Sequence, residues 1–104
     1  MARKITKDTF FQEIQQGVTL VDFGAPWCAP CRIQEPILDD LAVEFEGKAS
    51  ILKVNVDEES ELAAEFNVMG LPTLLVFKNG VPVEAMRGLQ SREIVKSKLA
   101  EQLM

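Results

Sequence analysis

The order of strand-like and helix-like segments predicts an α/β fold with a central mixed sheet of four or five strands and helices on both faces. Two observations support this prediction. Strand and helix patterns alternate through the first part of the chain, which is typical of parallel strands joined by crossover helices. Further on, two strand-like runs flank Asn79-Gly80, a dipeptide that favours a hairpin between antiparallel strands. The predicted order is βαβαβαββα.

The first two predicted elements are a short edge strand and an amphipathic helix. We expect the strand at residues 3–6. We expect Thr6 or Asp8 to cap the helix and Gly17 to end it. Its apolar side chains are Phe10, Phe11 and Ile14.

A buried strand and a long helix follow. The strand is the apolar run from Val18 to Gly24, and the helix covers residues 31–45. One apolar stripe of this helix is formed by Ile33, Ile37, Leu38, Leu41 and Phe45. We expect Gly47 to end the helix and Pro36 to kink it.

The second half of the chain supplies the remaining elements. A strand is predicted at residues 50–56, and a short acidic helix at residues 58–66 with Leu62, Ala63 and Phe66 facing inward. The hairpin strands run from Thr73 to Lys78 and from Val81 to Arg87. The last helix is expected to be capped by Ser91 and to bury Val95, Leu99 and Leu103.

Composition limits the possible functions. The 104 residues, 47% of them apolar, suit a single domain spanning residues 1–104. A net charge of −5 with scattered basic residues argues against nucleic acid as a partner. The lack of histidine excludes Ser-His and Cys-His catalysis, and two thiols alone do not complete a tetrahedral zinc site. No stretch has membrane-span length, and residues 1–8 lack a signal-peptide core, so we expect a cytoplasmic protein without membrane association.

The two cysteines, Cys28 and Cys31, lie between a strand-like and a helix-like run. At such a junction the first sulfur can lie at the helix N-terminus, where unpaired N–H groups and the helix dipole favour a thiolate. The second sulfur lies one turn into the helix, less exposed and close enough to form a disulfide, as reversible thiol–disulfide exchange requires. The alternative is a structural disulfide or two buried small apolar side chains.

The chain closely resembles the thioredoxin family over essentially its whole length. The motifs that carry the resemblance occur in the family's order: Val21-Asp22-Phe23, Trp27-Cys28-Ala29-Pro30-Cys31, Pro36, Leu71-Pro72-Thr73, Lys78-Asn79-Gly80 and Gly88. The resemblance implies the thioredoxin fold and a protein disulfide reductase that itself binds no cofactor. Cys28 would attack a target disulfide, and Cys31 would resolve the mixed disulfide. The implied partners are disulfide-containing proteins and a flavin-dependent thioredoxin reductase, and we expect a monomer that serves as a general cytosolic electron donor.

Asp22 and Lys53 are the charged candidates for the site. From the sequence alone, Asp22 would be expected at a strand end facing solvent, and Lys53 would extend along the surface. The resemblance implies instead that Asp22 is buried beneath the disulfide, where burial raises its pKa. It would accept the Cys31 proton through a water, and the charge of Lys53 would partly offset the burial effect.

Pro72 and a shallow apolar patch are the candidates for substrate binding. A proline here could be an ordinary turn, but the resemblance implies a cis Leu71-Pro72 bond against the cysteines. The backbone beside it could then pair with an extended substrate segment. The residues expected to bind substrate are Trp27, Ala29, Pro30, Gly70, Leu71, Pro72, Gly88 and Leu89. For Trp27, plain core packing is the alternative.

Some residues depart from the family's usual pattern. Ala29 replaces the glycine most common between the cysteines, which favours a stiffer helix start and puts the redox potential in doubt. Gly24 stands where an aromatic is common, and Pro26 and Arg32 are also less usual. Pro30 is retained and the dipeptide holds no histidine, which argues against the oxidase and isomerase branches.

Two other classes of function compete with the reductase. A thioredoxin-like domain could be a non-enzymatic subunit that uses the apolar patch, but a complete cysteine pair with Asp22 and Pro72 favours chemistry. A metal chaperone with a Cys-x-x-Cys pair would need a βαββαβ order and further soft ligands, and this sequence has neither.

Overall fold

The structure, a computed structural model, describes residues 2–104 and confirms the predicted α/β architecture. The elements in this range are β1 (Arg3–Lys4), α1 (Lys7–Ile14), β2 (Val18–Gly24), α2 (Ala29–Glu44), β3 (Ala49–Asn55), α3 (Ser60–Glu65), β4 (Thr73–Lys78), β5 (Val81–Arg87) and α4 (Arg92–Leu103). Their order is the predicted one, and β2, β4 and β5 have the predicted bounds.

The five strands form one mixed sheet in the order β1-β3-β2-β4-β5. β1 and β2 both pair in parallel with β3, whereas β4 is antiparallel to both β2 and β5. β2 is therefore the central strand, and Asp22 on it lies directly opposite Lys53 of β3 and Leu74 of β4. This register places a carboxyl group in the middle of the sheet.

Each face of the sheet is covered by a separate apolar core. One core joins α2 and α4 to the sheet through residues that include Leu20, Leu38 and Leu99. The other joins α1 and α3 through residues that include Phe10 and Phe23. Because side chains alternate along a strand, Asp22 shares the α2 and α4 face of β2 with Leu20. The carboxyl group therefore lies beneath the helix that carries the cysteines.

Helix α2 differs from the prediction in its start and in its buried face. It begins at Ala29, with Cys28 as the N-cap residue. Ile33 is 55% exposed, whereas Gln34 is fully buried. The apolar residues fit more than one helical face, and the face that continues from Cys31 over the sheet contains Gln34 and Leu38 rather than Ile33. The helix continues through Pro36, and the kink there stays a prediction.

Smaller differences concern the ends of elements. β1 and α3 are shorter than predicted, and β3 begins and ends one residue earlier than predicted. Leu103, which was predicted to be buried, is 39% exposed, whereas Val95 and Leu99 are fully buried. The cap at Ser91 is confirmed, since its side chain accepts a hydrogen bond from the Ile94 N–H group. Thr6 occupies the N-cap position of α1, but its side chain makes no capping hydrogen bond.

Candidate active site

Cys28 and Cys31 form a disulfide at the N-terminus of α2. Cys28 has an extended backbone conformation as the N-cap residue, and its Sγ accepts a hydrogen bond from the Cys31 N–H group over 3.3 Å. When the disulfide is reduced, a thiolate at this position would face the unpaired N–H groups of the helix start, which favour negative charge. The geometry therefore suits Cys28 for nucleophilic attack.

The expected difference in exposure between the two cysteines is wrong for the disulfide form. Cys28 is 6% exposed and Cys31 is 7% exposed. Both pack in one small apolar cluster with Ala25, against Val56 and Leu71. What distinguishes the cysteines is their position at the helix end and not their accessibility.

Asp22 is buried, as the resemblance implied, and not exposed at a strand end. Its side chain is only 5% exposed. Within residues 2–104, its Oδ1 atom has no hydrogen-bond partner. Burial raises the pKa of Asp22 to about 7, while the charge of Lys53 lowers the pKa and that of Glu35 raises it. A carboxyl group with a pKa near neutrality can both accept and release a proton under ordinary conditions.

Lys53 and Glu35 form an ion pair beside Asp22. Lys53 Nζ lies 3.5 Å from Glu35 Oε2, and Lys53 occupies the strand position directly opposite Asp22. Glu35 was not predicted as a site residue. Its position four residues after Cys31 was the available signal, since that spacing places both residues on the same face of a helix.

Gly24 lies close to both reactive groups. A Cβ atom at this position would lie 3.3 Å from Cys31 Sγ and 3.7 Å from Asp22 Oδ1. Gly24 also lines a cavity of about 400 Å³. Its lining residues are Lys4, Asp22, Gly24, Ala25, Pro26, Cys31, Arg32, Glu35, Lys53, Val54 and Asn55. The cavity thus brings together three of the predicted site residues, Asp22, Cys31 and Lys53.

The predicted substrate-binding residues lie in segments around the disulfide. The Leu71-Pro72 bond is cis, and Leu71 packs against the cysteine cluster. The Gly88 N–H group donates to the Pro72 carbonyl oxygen over 2.8 Å, which joins the Gly88 and Pro72 segments. Ala29, Pro30, Gly70 and Leu89 are exposed, and Pro72 is buried.

Trp27 lies on the surface and not in the core. Its side chain is 67% exposed, and its indole N–H group donates to Asp57 Oδ2 over 2.7 Å. The backbone N–H group of Asp57 donates in turn to Asn55 Oδ1.

Two further residues near the site were not predicted: Met69, which is 89% exposed and precedes Gly70, and the buried Gln34 of α2.

No group of three or more histidine, cysteine, aspartate or glutamate side chains within residues 2–104 is arranged to hold a metal ion. In the same range, the helices are all too short or too polar to cross a membrane.

Comparisons with known proteins agree with this site. The family model described as Thioredoxin matches residues 1–101. The thioredoxins of Staphylococcus saprophyticus and Staphylococcus haemolyticus are each 51% identical to this chain over 90 residues, which is 86% of both sequences. A thioredoxin of Staphylococcus aureus is 49% identical over the same coverage.

Proposed function

The chain belongs to the thioredoxin family, and on this basis we propose that it is a general donor of electrons to disulfide-containing proteins. Its activity is protein disulfide reduction. The observation that carries this conclusion is the Cys28–Cys31 disulfide, closed at the start of α2. In one turnover, two thiols of the protein become a disulfide and one target disulfide becomes two thiols, so two electrons pass to the target.

The first step of the proposed mechanism is attack by Cys28. Its thiolate forms a bond to one sulfur of the target disulfide, and the other target sulfur leaves as a thiolate. The N-cap position of Cys28 supports this role, because the helix N-terminus stabilises the thiolate before attack. Exposed groups around the cysteines, including Trp27, Pro30 and Leu89, would contact the target chain.

The second step is resolution by Cys31. Asp22 takes the Cys31 proton through a water, and Lys53 tunes the basicity of Asp22. The Cys31 thiolate then attacks Cys28 Sγ and releases the reduced target. The cavity beside Gly24, which both Cys31 and Asp22 line, supports this transfer.

The oxidised protein then has to be reduced again. Thioredoxin reductase, a flavin-dependent enzyme, is the proposed electron source, and this chain itself binds no cofactor. We place the protein in the cytoplasm as a monomer. The residues around the disulfide, including Trp27, Ala29 and Pro30, are exposed. This agrees with the proposal, because a second protein has to reach the disulfide or the thiols in each half of the cycle.

Reduction of insulin tests the function. The chain, supplied with electrons by a thioredoxin reductase, should reduce insulin disulfides many times per molecule. A Cys28→Ser, Cys31→Ser double variant is the control, because it keeps the surface and removes the chemistry. If the parent protein were no faster than this variant, the chain would be a binding module and the proposal would be wrong.

A further inference from the structure

The cavity beside Gly24 reaches only one of the two cysteines. Cys31 is among its lining residues, and Cys28 is not among those that line it within residues 2–104. Cys31 Sγ lies 3.3 Å from where a Gly24 Cβ atom would be, so even a methyl group at this position would crowd the sulfur. We propose that the cavity is a second entrance to the redox centre, through which a small thiol or disulfide carrying a carboxylate reaches Cys31.

The unpaired carboxyl oxygen of Asp22 supports a ligand in this cavity. Asp22 Oδ1 is buried, has no hydrogen-bond partner within residues 2–104, and lies 3.7 Å from the same Gly24 position. A buried polar atom without a partner is costly. A small thiol that enters beside Gly24 would donate its S–H to Asp22 Oδ1, which takes the proton, and the resulting thiolate would lie next to Cys31.

The charges around the cavity select for a carboxylate. Its lining holds three cations, Lys4, Arg32 and Lys53, and two acids, Asp22 and Glu35. Lys4 and Lys53 already have acidic partners. Arg32 donates to the Pro26 carbonyl oxygen and is in none of the ion pairs formed within residues 2–104. Arg32 is therefore the group available to bind the carboxylate, and a volume of about 400 Å³ limits the ligand to a small molecule.

The exchange that follows is balanced without any further reactant. In the oxidised protein, a small thiolate attacks Cys31 Sγ, a new S–S bond forms, the Cys28–Cys31 bond breaks, and Cys28 leaves as a thiolate. A second small thiolate attacks the sulfur of the bound molecule and releases a small disulfide and the reduced protein. In the reverse direction, the Cys31 thiolate is oxidised by a small disulfide, which gives up one thiolate. This proposal rests on the proposed function only in that the two cysteines undergo thiol–disulfide exchange.

Single-cysteine chains isolate the two entrances. In a Cys28→Ser chain only Cys31 can react, and in a Cys31→Ser chain only Cys28 can. The probe is dithiodiglycolate, a small disulfide with two carboxylates, and the measurement is the rate of mixed-disulfide formation by mass spectrometry. Gly24→Ala should slow the reaction of Cys31 about tenfold, as an ordinary overpacking cost implies, and should leave that of Cys28 unchanged. Equal slowing at both cysteines, or at neither, would overturn the proposal.

Two further tests vary the charge and the size of the disulfide probe, and they do not depend on filling the cavity. Arg32→Gln should slow the reaction of Cys31 with dithiodiglycolate more than its reaction with cystamine, a disulfide of similar length that carries two amines. With Gly24 unchanged, Cys31 should prefer dithiodiglycolate over the larger glutathione disulfide by a greater factor than Cys28 does. Loss of either preference would overturn the proposal. Because neither chain can complete reduction of a protein disulfide, these results are independent of the insulin assay.

Discussion

Gln34 and Gln90 exchange two hydrogen bonds between the active-site helix and the segment after β5. Gln34 Nε2 donates to the Gln90 carbonyl oxygen over 3.1 Å, and the Gln90 N–H group donates to Gln34 Oε1 over 2.8 Å. The Gln90 side chain donates in turn to the carbonyl oxygens of Arg87 and Gly88. This pair ties the segment that contains Gly88 and Leu89 to the helix that begins after Cys28.

Replacing Gln34 should loosen the proposed substrate surface. Gln34→Leu keeps a side chain of similar size but leaves the Gln90 N–H and C=O groups without their partner. We expect the free energy of unfolding to fall by about 2 kcal/mol or more. We also expect KM for a protein target to rise while the rate of Cys28 with a small disulfide stays the same.

The control for this change is Gln12→Leu. Gln12 is exposed on α1, away from the cysteines, and its replacement should change the free energy of unfolding by less than about 0.5 kcal/mol. Chemical denaturation and steady-state kinetics measure the two effects. Equal stability of the Gln34→Leu and Gln12→Leu variants would mean that the glutamine pair does not hold the segment.

The roles of the two cysteines can be separated by trapping. Cys31→Ser should form stable mixed disulfides with target proteins, because Cys28 can attack but no thiol follows to release the target. Cys28→Ser should form few, since it lacks the thiolate at the helix N-terminus. Non-reducing electrophoresis with mass spectrometry identifies the complexes. Equal trapping by both variants, or trapping by Cys28→Ser alone, would reverse the assignment.

The fold was largely predictable because its signals are local. Short strand-like runs predicted β2, β4 and β5 with the bounds that the structure has, and Asn79-Gly80 marked the hairpin, in which both residues have positive φ angles of 52° and 85°. The buried face of α2 was not predictable in the same way. A fully buried Gln34 is stable there only because Gln90, 56 residues further along the chain, supplies both partners.

The candidate site was predictable where it depended on motifs. The cysteine pair follows from spacing, but burial of Asp22 came from the family resemblance, since an isolated carboxyl group in an apolar strand gives no sign of which way it points. The Lys53–Glu35 pair and the cavity at Gly24 depend on packing between β2, β3 and α2. The sequence shows that Gly24 stands where an aromatic is common in the family, but the cavity that accompanies the missing side chain appears only in three dimensions.

Ala29→Gly should have a small effect on the redox potential. Ala29 is the first residue of α2 and is exposed, so glycine removes no packing and weakens only the helix start. The preference of a helix for alanine over glycine is at most about 1 kcal/mol, which limits the shift to about 20 mV if the helix start differs between the oxidised and reduced forms. Equilibration with a thiol–disulfide buffer measures the potential. A much larger shift would show that Ala29 acts through more than helix propensity.

Asp22 should control how turnover depends on pH. With its pKa at about 7, parent turnover should fall as the pH decreases through neutrality, because the protonated carboxyl cannot accept the Cys31 proton. Asp22→Asn should be slower near neutral pH, and its deficit should shrink at alkaline pH as hydroxide takes over. An Asp22→Asn profile that matched the parent would exclude this role.

Two neighbouring variants should move the midpoint of this profile in opposite directions. Glu35→Gln should lower the apparent pKa of Asp22, because the charge of Glu35 raises that pKa, and Lys53→Gln should raise it, because the charge of Lys53 lowers it. Rates of insulin reduction across the pH range provide the measurement. Shifts of the same sign in both variants would mean that the midpoint belongs to a group other than Asp22.

The same carboxyl group should limit the stability of the oxidised protein. The pKa of Asp22 is raised from 3.8 to about 7 in the folded chain. At pH values between these two, the folded state therefore holds a proton that the unfolded state has lost. Stability therefore falls as the pH rises from about 4 to about 7 and changes no further above that. Asp22→Asn removes this loss, and above neutrality it should raise the free energy of unfolding by on the order of 4 kcal/mol. The gain should vanish towards acidic pH, where Asp22 is protonated in both states.

Denaturant titrations of the oxidised proteins at several pH values test this expected gain in the Asp22→Asn variant. The control is the exposed Glu101→Gln, which should change the free energy of unfolding by less than about 0.5 kcal/mol. A gain that is independent of pH would come from packing and not from the buried charge.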